Sequence, residues 1–175
     1  MNRLLLLFLA LFAPGIIYAQ YKPTEQGSTV TFVIKNLGFD VNGSFKGLNG
    51  TINFDLLDIT ASNFDVTINA TTINTDNSLR DEHLKADSYF DVKNYPAIHL
   101  VSTKITGKNG NYVFTGQLTI KGKSKPVSFP FTATSLPDGF IFKSSFKMNR
   151  RDFNIGGTST IADELMVNLN ITAKK

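Results

Sequence analysis

The run Tyr112-Val113-Phe114-Thr115-Gly116-Gln117-Leu118-Thr119-Ile120-Lys121 decides the fold. Tyr112, Phe114, Gly116, Leu118 and Ile120 fall on one face, with Thr115, Gln117, Thr119 and Lys121 on the other. A period of two is the mark of a strand with one buried face, because successive side chains of an extended chain point to opposite sides. The same period recurs downstream in Val127, Phe129, Phe131 and Ala133, and in Leu165, Val167, Leu169 and Ile171. Between them Phe140, Phe142, Ser144, Phe146 and Met148 alternate with Lys143, Ser145 and Lys147. Upstream it recurs in Val30, Phe32 and Ile34, and in Phe64, Val66, Ile68 and Ala70. Phe39, Val41 and Phe45 lead through Gly47-Leu48-Asn49-Gly50 into Ile52 and Phe54, which reads as a hairpin with a glycine-bearing turn. That makes about nine strand candidates. Gly107-Lys108-Asn109-Gly110 and Leu136-Pro137-Asp138-Gly139 are short, polar and glycine-bearing, so neighbouring strands are antiparallel.

One segment breaks the alternation. Residues 77–86 contain good helix formers, with Asn77 or Ser78 placed to cap a helix of two to three turns. Tyr95-Pro96 then forces extended chain before the next strand near Ala97. The expected fold is all-β, an extended antiparallel barrel of about eight strands with one short helix between strands. Face-to-face packing of two sheets is the alternative architecture.

The chain has 175 residues, of which 42% are hydrophobic, enough for one domain with a sizeable core. Lys and Arg exceed Asp and Glu by a net +4 with no block of like charge before Lys174-Lys175, which argues against a nucleic-acid partner. There is no cysteine, so disulfides and thiolate chemistry are excluded. Arg3, the apolar run from Leu4 to Phe12, the Pro14-Gly15 breaker and Ile17-Tyr18-Ala19 read as a cleavable signal peptide, residues 1–19. One domain over residues 20–175 follows it, with a net charge of +3 once Arg3 is gone. Export without cysteine suits the periplasm, and secretion into the medium stays open. The small positive excess is compatible with transient contact with anionic membrane surfaces.

Catalytic and metal motifs are missing. His83 and His99 stand sixteen residues apart with no zinc-ligand spacing, and there is no nucleophile elbow, phosphate loop or His-Glu-x-x-His. No cofactor, metal or catalytic residue is expected. Arg80, His83 and Asp87 stand at helical spacings and could form a polar cluster for a head group, or a plain ion pair tying the helix to the barrel rim. Arg150-Arg151 at a strand end could hold an anion, or be a solvated turn with one salt bridge. The phenylalanine-rich inner faces fit either a packed core or a ligand-holding bore, since barrels of roughly eight strands lie at the boundary between the two.

Several fragments in order resemble the YceI-like family of bacterial lipid-binding proteins. They are Ser28-Thr29-Val30-Thr31-Phe32, Gly43-Ser44-Phe45-Lys46-Gly47, Arg80-Asp81-Glu82-His83-Leu84, Tyr89-Phe90-Asp91, Tyr95-Pro96, Gly116 to Gly122 with Lys125-Pro126-Val127, and Asn149-Arg150-Arg151-Asp152-Phe153. Asn154 departs from the glycine the family commonly has there, which puts the local backbone path in question. The resemblance implies a lipocalin-like barrel, exported and non-enzymatic, whose bore holds a long isoprenoid or similar amphiphile for transport or storage. On that reading Phe32, Phe45, Ile68, Phe114, Leu118, Phe129, Phe131, Phe142 and Phe146 line the bore. Leu79, Leu84 and Phe90 cap one end, and Arg80, His83 and Arg150 are the head-group candidates. Two alternatives stand beside it: a secreted interaction module with a packed core and no ligand, and an enzyme acting on a lipid held near Arg80, Asp81 and His83.

Overall fold

Long alternating runs make long strands, and in the computed structural model, which describes residues 20–175, they run from 10 to 17 residues. Their order is β1 (Gln20–Asn36), β2 (Phe39–Asn53), β3 (Asn63–Asn74), α1 (Ser78–Lys85), β4 (Ala97–Lys108), β5 (Asn111–Ile120), β6 (Lys123–Leu136), β7 (Gly139–Asn149) and β8 (Ile161–Lys174). Short 3-10 segments at Ile59–Ala61 and Arg150–Phe153 lie in the β2–β3 and β7–β8 connections. Each strand pairs antiparallel with its neighbours in sequence and β8 pairs with β1, closing an eight-stranded barrel. Closure satisfies the edges that a sandwich of two sheets would leave exposed. The leader read in residues 1–19 lies outside the described residues.

β5 carries the alternation in full, exposed and buried residues trading places from Asn111 to Leu118. Tight turns at Leu37-Gly38, Asn109-Gly110 and Lys121-Gly122 place both residues at positive φ, the hand that matches strand twist. The helix also forms as its sequence suggests. Asn77 caps it by accepting a hydrogen bond from the Arg80 N–H at 3.0 Å.

One strand assignment is corrected. Phe39 to Asn53 is a single strand, β2, and Gly47-Leu48-Asn49-Gly50 does not turn the chain back. The pairing of β2 with β3 instead slips between Ser44 and Asn49, the signature of a bulge. Gly47 (φ +76°) and Gly50 (φ +123°) make it possible. A Cβ on Gly47 would stand 2.6 Å from that of Asn69, and one on Gly50 only 2.2 Å from the Asp65 carbonyl oxygen. The slip moves the inward register from Val41, Gly43 and Phe45 to Leu48 and Ile52, so nine candidates become eight strands. At the other questioned position, Asn154 adopts the left-handed conformation (φ 55°, ψ 38°) that asparagine tolerates better than most residues.

The two ends of the barrel differ. The end holding the β2–β3 connection and the β4–β5 and β6–β7 turns is solid with rings. Phe54 meets Tyr112, Phe140 and Phe142 edge to face with centroids 5.1 Å apart in each case. The opposite end carries the β1–β2 turn, the α1 connection and the Arg150–Phe153 segment, and beneath it the barrel is hollow.

Candidate functional site

At this hollow end, side chains that alternate inward from seven of the strands surround a cavity of about 220 Å³. A single water needs ~10–15 Å³ on this measure, so the space is more than a packing defect. Its wall is almost wholly apolar, with Val30 and Ile34 from β1, Val41 from β2, Ile98 from β4, and Leu165 and Val167 from β8. Of the sequence candidates, Phe32, Phe45, Ile68, Leu84, Phe90, Leu118 and Phe146 face the same space. Phe90, anchored by its N–H to the Leu84 carbonyl at 3.0 Å, closes edge to face on Phe45, whose ring lies 5.7 Å from that of Phe32.

Other candidates lie elsewhere. Phe114, Phe129, Phe131 and Phe142 belong to the aromatic cluster of the solid end and border a smaller void, not the main cavity. Leu79 is 68% exposed and caps nothing. His83 and Asp87 are exposed, and no hydrogen bond or ion pair joins either to Arg80. His99 pairs with Asp65 at 2.7 Å, away from the cavity.

Arg80 does reach the mouth. Its Nε donates to Thr75 Oγ1 at 2.7 Å and its Nη2 to the Thr75 carbonyl at 2.6 Å. The Thr75 hydroxyl in turn donates to buried Asp81 at 2.6 Å, and the Thr75 N–H donates to the same carboxylate oxygen at 2.9 Å. The guanidinium is thereby fixed by two of its donors beside an apolar cavity, while Nη1 makes no hydrogen bond to any of the described residues. Such a group can receive an anionic or hydroxyl head while the chain behind it stays dry.

Arg150 also borders the cavity, but its donors are spent within the protein. It is only 3% exposed, and every donor is taken. Nε donates to the Ala162 carbonyl at 3.0 Å, Nη1 to those of Ile155 and Gly156 at 2.7 and 2.8 Å, and Nη2 to the Ile161 carbonyl at 3.0 Å and the Ser159 hydroxyl at 3.3 Å, with the Asp163 carboxylate an ion-pair partner at 2.8 Å. With no free N–H it holds the β7–β8 connection together and has nothing left for a ligand. Its neighbour Arg151 also bonds Asp163, at 2.8 Å. That hydrogen bond, assisted by the charges of Arg151 and Arg150 against some desolvation, holds the Asp163 carboxyl below its ordinary 3.8.

Sequence reasoning missed Thr75, and it missed Val30, Ile34, Ile98, Leu165 and Val167 as cavity wall. Val30 and Ile34 carry a signal in sharing the face of Phe32, and Leu165 and Val167 carry one in the alternation of β8, whereas Ile98 lies on a strand with no phenylalanine to mark its face. For Thr75 there was none, because its role comes from the turn of chain between β3 and α1.

Comparison with known proteins accords with this geometry. A family model described as the YceI-like domain matches residues 21–173. Protein YceI of Escherichia coli is 31% identical over 152 residues, covering 82% of this chain and 80% of its own. Among solved structures, Burkholderia cenocepacia BcnA superposes with a TM-score of 0.79 at 27% identity, covering 84% of this chain and 96% of its own. The Campylobacter jejuni YCEI protein gives 0.70 at 30% identity, covering 77% and 85%. A polyisoprenoid binding domain from Saccharophagus degradans shares the fold, with a TM-score of 0.72 at 13% identity over 88% of this chain and 97% of its own.

Proposed function

The chain belongs to the YceI-like family, and from that premise we propose that it binds the apolar chain of a long isoprenoid or similar amphiphile, carrying or storing it outside the cytoplasm. The observation that carries the reading is the apolar cavity of about 220 Å³ with a half-tethered guanidinium at its mouth. Each CH₂ taken from water into such a wall is worth ~0.8 kcal/mol, so a long chain supplies ample gross affinity before ordering costs. The same fold serves as a polyisoprenoid binding domain in Saccharophagus degradans, which supports the ligand class. The leader read in residues 1–19 supports export to the periplasm. Among the described residues the cavity wall is almost wholly apolar, and its one hydroxyl beside a carboxylate, Thr75 with Asp81, is occupied in holding Arg80, which favours binding over catalysis.

Displacement of bound cis-parinaric acid by farnesol and by farnesyl diphosphate tests both the cavity and its mouth. Both displace it from the native protein. Arg80→Ala weakens the diphosphate ~tenfold or more, the value of a charge-assisted hydrogen bond, and leaves the alcohol within ~twofold. Equal effects on the two ligands remove Arg80 from the head-group site.

The β1–β2 turn at this end supports entry from a lipid surface. Leu37 (71% exposed) and Phe39 (78% exposed) sit at the β1–β2 turn beside the cavity, and Leu37 holds a left-handed φ of 51° that glycine or asparagine takes more readily. An apolar tip kept at some backbone cost suits brief insertion into a lipid surface. Leu37→Asn with Phe39→Thr reduces co-flotation with phosphatidylglycerol-containing vesicles severalfold while farnesol affinity in solution is unchanged. Undiminished flotation removes this contact.

A further inference from the structure

Beneath the main cavity lies a second, of about 60 Å³, still several times the ~10–15 Å³ that admits one water. Its wall is built largely of the rings of Phe64, Phe114, Phe129, Phe131 and Phe142, and at its β7 edge the Ser144 hydroxyl is already committed to the Pro130 carbonyl at 2.7 Å. Leu48, Val66, Leu100, Leu169 and Ile171 face both cavities and form the throat between them. All five are half-buried rather than locked in the core.

Two features make this throat passable. The bulge at Gly47 turns Leu48 inward, so it supplies a mobile aliphatic side chain where an unbroken strand would bring in Gly47 or Asn49. One wall is continuous past it, since the rings of Phe146, Phe129 and Phe114 stack in sequence with centroids 4.2 and 4.8 Å apart and planes within 8°. Phe146 faces the upper cavity, whereas Phe129 and Phe114 face the lower one. A chain joining the two spaces would displace the leucine side chains by rotamer change and leave the stacked wall in place. Below the lower cavity, the ring cluster around Phe54 closes the barrel.

We propose that the lower cavity is a terminal subsite for the apolar end of a chain, and that the Leu48–Leu100–Leu169 throat discriminates ligands by length. The proposal rests on the lipid-binding reading above. A short prenol lies wholly in the upper cavity and ignores the throat. A longer one threads it, and gains affinity in proportion to the carbons buried below.

The test measures affinities of geraniol, farnesol and geranylgeraniol for the native protein and two variants of opposite sign. Leu100→Phe fills the throat, and is expected to weaken geranylgeraniol ~tenfold or more beyond whatever it costs geraniol, since Leu100 borders the upper cavity as well. Leu169→Ala widens it and shifts preference severalfold toward geranylgeraniol, so the proposal does not hang on one variant folding. Unchanged length preference in variants that still bind geraniol overturns the subsite. Failure of every prenol to bind the native protein overturns the lipid-binding reading itself, and the subsite with it.

Discussion

With Phe45→Asn and Val167→Asn in place, the barrel folds but holds geranylgeraniol ~thirtyfold or more less tightly than the native sequence does. Both residues are half-buried and face the main cavity from strands flanking β1. In the empty barrel the new amides can keep water as a partner, so the cost to stability is confined to the lost ring contacts of Phe45 with Phe32 and Phe90 and the smaller side chain at Val167. Once a hydrocarbon chain enters, that water must leave and nothing in the apolar wall replaces it. An amide buried without a partner costs ~1–3 kcal/mol, so two cost ~2–6 kcal/mol, all of it charged to the bound state. Isothermal titration beside a urea unfolding curve separates the two quantities. Unchanged affinity in a folded double variant shows that the chain does not lie against this wall.

Arg150→Met has the larger effect on the fold. The substitution keeps the length of the stem and removes every donor, orphaning the carbonyls of Ile155, Gly156, Ile161 and Ala162 together with one partner of Asp163. Each unsatisfied buried carbonyl costs ~1–3 kcal/mol, and partial rehydration returns some of it; a loss of ~4 kcal/mol or more is expected. Whole domains are stable by only ~5–15 kcal/mol. Arg150→Lys restores little, because three donors on one nitrogen do not reproduce a planar fork. Urea denaturation reads this directly, and a midpoint within error of the native one contradicts the assigned role. Acid acts on the same connection through Asp163. Its folded pKa is depressed, so the stability it adds is present above its unfolded value of 3.8 and is lost as pH falls through the folded value. Asp163→Asn removes that part of the acid response.

What the sequence could and could not reveal follows from how local each cause is. The β5, β7 and β8 faces depend only on the pleat, and the alternation of Tyr112 to Ile120 or Leu165 to Ile171 was enough to read them. Asn77 at the start of α1 was equally legible, since a cap is satisfied within its own turn. Gly47-Leu48-Asn49-Gly50 misled because a bulge and a turn draw on the same residues, and only the approach of Asn69 and Asp65 on β3 decides between them. Leu79 and Leu84 could have been separated in advance. Five residues of helix turn through ~500°, leaving them ~140° apart, so only one faces the barrel beside Arg80. Which phenylalanines fill the solid end and which line the cavity depends on register summed around eight strands, and no single segment carries that information. Arg150 looked like a surface arginine because its partners, residues 155–163, lie on an irregular connection with no periodic signature.

Native mass spectrometry of the protein, purified from its own host without detergent and then extracted with organic solvent, tests the bound chain most directly. One long-chain apolar molecule per protein chain is expected, released on extraction and identifiable as an isoprenoid or similar amphiphile. A clean apo mass that remains apo after incubation with saturating geranylgeraniol contradicts it.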